Sequence, residues 1–122
     1  MKIGLDIHGV IDKDPRTFAE LARVLIAAGH EVHIITGQRW DVAERILKAH
    51  KVPYTHHFSI LDHYRGHLAA KIWKDEHGNE WMDAEMWNRA KALYCAKHGI
   101  KLHIDDSDMY GKYFKTPYAQ LR

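Results

Sequence analysis

Asp6, Asp105 and Asp106 are the acids of this chain whose placement could support chemistry, because each stands where a short apolar run gives out. Ile3, Leu5 and Ile7 alternate before turn chemistry at Gly9, and a run from Lys101 to Ile104 leads straight into the acidic pair. Carboxylates held at close range repel one another unless a cation neutralises them, and hard oxygen donors suit Mg²⁺, which keeps some of its waters and takes a substrate phosphate. An aspartate beside such an ion can attack phosphorus, dividing hydrolysis into formation and breakdown of an aspartyl-phosphate. Asp6 is the candidate nucleophile. Thr36, at another strand end and followed by Gly37, can hydrogen-bond a phosphoryl oxygen, and Lys91 can neutralise charge that one metal leaves uncompensated.

These residues act together only if the fold brings them together, and the pattern of elements does so. Lys2 to Ile7 reads as a buried strand. Asp14 then caps a helix with Pro15 at its first position, Phe18, Leu21, Ala22, Leu25 and Ile26 at helical spacing, and Gly29 as its stop. Glu31 to Ile35 is a second strand ending at Thr36-Gly37, followed by a helix from about Trp40 to His50. A helix between consecutive strands favours a right-handed parallel crossover, so both strand ends fall on one edge of one sheet, where open α/β sheets bind ligands.

Further along, Tyr54 to Leu61 reads as a third strand, and Lys71 to Met82 as a hairpin turning near His77-Gly78-Asn79. Asp83 caps a helix running to about His98, with Trp87, Ala90, Leu93 and Tyr94 on its apolar face and Gly99 as its stop. The fourth strand ends at Asp105-Asp106, and the aromatic tail from Ser107 to Arg122 reads as a short turn plus an edge segment. The expected architecture is α/β: a Rossmann-like three-layer sandwich with a mostly parallel sheet and a small hairpin insertion.

At 122 residues the chain has room for one core and one domain, 1–122, with residues 63–82 as an insertion that could serve as a lid or an oligomer contact. Hydrophobic residues make up 46% and charged residues 28%, the balance of a globular protein rather than a disordered or membrane chain. A net charge of +2 without long like-charge runs allows nucleic acid as a partner without implying it. The absence of a long apolar stretch and a start that leads directly into a strand predict no membrane association and a cytoplasmic location. The single cysteine, Cys95, falls in an amphipathic helical pattern and reads as a packed thiol.

In this order the residues resemble the four motifs of the haloacid dehalogenase (HAD) superfamily, over nearly the whole chain. Leu5-Asp6-Ile7-His8-Gly9-Val10-Ile11 is similar to the first motif, Ile34-Ile35-Thr36-Gly37 to the second, Lys91 to the third and His103-Ile104-Asp105-Asp106 to the fourth. Lys97 and Lys101 are alternatives for the third. The resemblance implies an aspartyl-phosphate at Asp6 and Mg²⁺ held by Asp6, the main-chain carbonyl of His8 and an acid of the fourth motif. Asp106 is the preferred direct ligand, with Asp105 orienting a metal water or Lys91. Most phosphatases of this family carry a second aspartate two residues after the nucleophile, where this chain has His8. Imidazole titrates near neutrality, so His8 is the expected replacement acid/base.

The expectation is therefore a small, nearly capless phosphatase acting on phosphorylated substrates, either small molecules or nucleic-acid ends, with a homo-oligomer as one way to cover its site. The alternative is a phosphate or nucleotide binding module that keeps the metal, with His8 merely filling space beside Gly9. A third reading is a histidine-dependent Zn²⁺ or Ni²⁺ protein, since the chain has eleven histidines. His63 and His67, at i,i+4 with Gly66 between them, read as surface residues, and His56 and His57 as pointing to opposite sheet faces. Trp73, Trp81 and Trp87 read as a satellite core rather than a base-stacking platform. Asp12 and Asp14 read as turn and cap residues.

Overall fold

The computed structural model describes residues 1–67 and 71–122; the part of the expected 63–82 insertion at 68–70 lies outside the described residues. Five parallel strands form the main sheet: β1 (Lys2–Leu5), β2 (Glu31–Thr36), β3 (His56–Ser59), β6 (Leu102–Asp105) and β7 (Tyr118–Gln120). Between β3 and β6 lies a separate antiparallel pair, β4 (Trp73–Lys74) and β5 (Glu80–Trp81). The order across the sheet is β3-β2-β1-β6-β7, so the strands ending at Asp6 and Asp105 are neighbours. The α/β sandwich and its small hairpin are thus as expected.

Strand alternation assigns the two faces. Ile3, Leu5, Val32 and Ile34 pack with Phe18, Ala19 and Ala22 of α1 (Pro15–Ala27) and Ala43 and Leu47 of α2 (Trp40–Ala49). Ile35 points the other way, where it meets Cys95 of α4 (Ala84–His98) and Ile100. Burial pushes the Cys95 thiol up to about 12, in keeping with a packing role. The sequence signals for the helix ends hold: Asp14 and Asp83 accept main-chain N–H groups from Thr17 and Met86, and Gly99 closes α4 in the left-handed conformation at φ 68°.

Several expectations need correction. The first strand stops at Leu5, because Ile7–Ile11 turns irregularly, closed by the Asp12 N–H on the Ile7 carbonyl at 3.0 Å. The third strand spans only His56–Ser59: Ser59 accepts the Asp62 N–H and opens the short helix α3 (Ile60–Tyr64), a cap that apolar alternation conceals. Leu93 is exposed on α4, whereas Lys91 is buried there. Trp73 and Trp81 pair across the hairpin but remain half exposed; only Trp87 joins the satellite cluster with Ile60, Met82 and Ala90. Among the described residues, no helix is long and apolar enough to cross a membrane.

Candidate functional site

The C-terminal ends of β1 and β6 place Asp6 and Asp105 side by side, within reach of Lys91 on α4. Lys91 projects from α4 into this junction, its ammonium 2.9 Å from Asp6 Oδ1 and 2.9 Å from Asp105 Oδ2. A fully buried lysine is uncommon and needs carboxylate partners of this kind. Burial alone would lower the ammonium's pKa, but the two carboxylates outweigh it and raise the pKa above the ordinary lysine value. Burial pushes the Asp6 carboxyl up to about 6, with Lys91 opposing that rise.

Asp105 is fully buried and engaged on both oxygens. Oδ1 accepts the main-chain N–H groups of Asp106 and Ser107, and Oδ2 faces His103 Nε2 and Lys91 Nζ, each at 2.9 Å. Burial acts to raise its pKa, yet the His103 hydrogen bond and the Lys91 charge carry it below the usual carboxylate range. This geometry makes Asp105 the anchor of Lys91. The exposed Asp106 carboxylate is unpaired among the described residues, and one oxygen from each of Asp6, Asp105 and Asp106 lies within 4.8 Å of the others.

Gly9 is what lets Asp106 approach the first turn. Its φ of 77° favours glycine, and a Cβ there would fall 2.0 Å from Asp106 Oδ2. His8, beside it, has its side chain half exposed and its Nδ1 2.9 Å from Asp12 Oδ2, while Asp12 Oδ1 accepts the Gly9 N–H at 2.7 Å. Burial works to lower the His8 pKa, but the Gln38 amide and the Asp12 carboxylate outweigh it and raise the pKa above the ordinary value. Asp12 thus holds the His8 ring in one orientation. Asp12 does more than form a turn.

Thr36 is buried at the end of β2 and its hydroxyl accepts the Gln38 N–H at 3.2 Å, behind the lining of the cleft. Gly37 does line the cleft, and a Cβ there would meet Trp87 Cζ2 at 2.3 Å. The cleft holds about 850 Å³ and is bounded by Asp6, His8, Gly37, Lys91 and Asp106 among others. Gln38, Arg39, Trp87 and Tyr110 also line it, and the sequence reading gave none of them a place there. Trp87 Nε1 donates to Tyr110 Oη at 2.7 Å, and the Tyr110 ring centre stands 5.2 Å from Lys91 Nζ. Gln38 and Arg39 could have been found from their position directly after a strand end. Tyr110 carries no comparable local signal.

Lys97 and Lys101 are both exposed, and neither lines the cleft. His63 and His67 are exposed, as expected, with ring centres 5.8 Å apart. His56 and His57 diverge: one stacks on His33, the other on Trp40. No family model, curated protein or solved structure matches the chain.

Proposed function

We propose that the chain is a Mg²⁺-dependent phosphomonoester hydrolase of the HAD type, working through an aspartyl-phosphate on Asp6. The observation that carries this reading is the buried Lys91 shared by Asp6 and Asp105 at the edge of a parallel sheet, with the exposed Asp106 beside it. Asp6 and Asp106 supply the hard carboxylate oxygens that Mg²⁺ takes, and the resemblance adds the main-chain carbonyl of His8. When bound, the ion would withdraw charge from the phosphoryl oxygens and bring the substrate phosphate to Asp6.

In the first step an Asp6 oxygen attacks phosphorus, the bond from phosphorus to the leaving-group oxygen breaks, and His8 gives that oxygen its proton. In the second, His8 takes a proton from water as the water oxygen attacks phosphorus and the bond to Asp6 breaks. Inorganic phosphate leaves and both side chains return to their starting states. Asp12 keeps the His8 ring in place through Nδ1. Lys91 offsets the charge of the phosphoryl group, and Asp105 holds Lys91 at the position where it does so.

The experiment is phosphate release from a panel of nucleotides, sugar phosphates and 5′- or 3′-phosphorylated DNA ends, with and without Mg²⁺, comparing the native chain with Asp6→Asn. Mg²⁺-dependent release that the substitution abolishes is the expected result. Mg²⁺-dependent binding of these compounds without release by the native chain would overturn turnover in favour of a binding module.

A further inference from the structure

The opposite edge of the sheet carries a second constellation that the proposed hydrolase chemistry does not use. His33 lies on the α4 face of β2, two residues after Glu31, and β2 pairs with β3 so that His33 stands beside His56. The two imidazoles stack with centres 4.4 Å apart and planes 8° from parallel. Glu31 Oε1 faces both, 2.9 Å from His33 Nε2 and 3.5 Å from His56 Nδ1. One donor atom from each of the three residues falls within 4.8 Å of the others.

We propose that Glu31, His33 and His56 form a Zn²⁺ site, separate from the acidic centre at Asp6. Zn²⁺ bonds to imidazole nitrogen and carboxylate oxygen at about 2.0–2.1 Å, which sets the donors of a tetrahedral site roughly 3.3 Å apart. The carboxylate-to-imidazole distances of 2.9 and 3.5 Å bracket that spacing. A metal lies in the plane of each imidazole that binds it, so the partly exposed His56 ring must tilt out of its stack on His33 for both nitrogens to meet one ion. Two nitrogens and one carboxylate oxygen are a donor set for zinc and not for Mg²⁺, which selects oxygen. Because Glu31 and His56 are partly exposed while His33 is 2% exposed, the ion would have a route in, and solvent would take the fourth position.

The surroundings supply the supports that a metal-binding histidine needs. His33 Nδ1 lies 2.7 Å from Tyr94 Oη, so with Nε2 on the metal the ring donates its Nδ1 proton to the phenol oxygen. His56 Nδ1 also contacts Thr55 Oγ1 at 2.8 Å. Zinc replaces that hydrogen bond, and the ring proton moves to Nε2. Glu31 pairs in register with Lys2, four residues before Asp6, which separates the two centres by roughly 13 Å of strand. The ion would clamp β3, the edge strand, onto β2.

The test is equilibrium dialysis of the untagged chain against Zn²⁺, with Co²⁺ as a spectroscopic substitute. Expected are one equivalent of zinc in the native chain, retained in Asp106→Asn, and the visible bands of tetrahedral Co²⁺. His56→Ala and Glu31→Gln, both at partly exposed positions and checked for native circular dichroism, should bind at least about 100-fold more weakly, beyond the roughly 10–100-fold cost of losing an outer partner. No stoichiometric zinc in the native chain would overturn the proposal. So would binding by both variants as tight as that of the native chain, or loss in Asp106→Asn with retention in His56→Ala, which would put the ion at the acidic centre.

Discussion

Lys91 Nζ lies 2.9 Å from Asp6 Oδ1, and both side chains are almost wholly withdrawn from water. Asp105 shares the same ammonium. Removing the cation therefore strands buried Asp6, while Asp105 keeps His103 and the main-chain N–H groups of Asp106 and Ser107. Lys91→Met should destabilise the fold by about 3–5 kcal/mol at neutral pH, read from urea unfolding. The deficit relative to the native chain should narrow on acidification, as protonation of Asp6 removes a charge that has lost its partner.

His8 and Asp12 make a second coupled pair. His8→Ala should lower kcat by about 10²–10⁴-fold with a smaller change in KM, since proton transfer acts in the transition state. Asp12→Ala frees the ring without deleting it and should cost less. Steady-state kinetics on any phosphomonoester that the chain hydrolyses decide the matter; an unaltered kcat in His8→Ala would remove His8 from the mechanism.

Gly9→Ala tests the approach of the first turn to Asp106. The substitution meets both a φ of 77° and a contact of 2.0 Å with Asp106 Oδ2. It should cost about 1–3 kcal/mol of stability from the backbone alone. On the proposed function, Mg²⁺-dependent phosphate release should fall with it, because Asp106 must move aside. Thermal unfolding and an activity assay on the same sample separate the two effects.

Acid sensitivity should arise in part at the start of α1. The Thr17 hydroxyl and the Thr17 main-chain N–H lower the Asp14 pKa from 3.8, so the folded state favours its ionised form. That contribution is fully present above the unfolded value and is lost as the pH falls through the lower, folded one. Asp14→Asn should therefore show a flatter decline in thermal midpoint than the native chain below about pH 4. Parallel declines would indicate that Asp14 contributes nothing to acid unfolding.

The parts of this fold that can be read from the chain are those decided locally. Asp14-Pro15, Asp83 and Gly99 mark helix ends through contacts within a few residues, so the sequence is enough. The grouping of Asp6 with Asp105 follows from parallel pairing, itself implied by the β-α-β order. Lys91 is a different case. The apolar residues of α4 do not gather on one clean stripe, and burial of Lys91 with exposure of Leu93 is decided by carboxylates far away in sequence. Tyr110 and His103 are equally hidden, because each acquires its role from a side chain that only the folded sheet and helix bring near.

The strand order also bears on the timing of assembly. β1 sits at the centre of the sheet, yet Ile3 meets its β6 partner, Leu102, about a hundred residues later. On the ribosome, β1 can pair with β2 early, but its other edge must wait until β6 has emerged. Lys91 and Asp105 arrive in that same late stretch. Asp6 is thus made first and given its partners last, so assembly of the site cannot precede closure of the sheet that holds it.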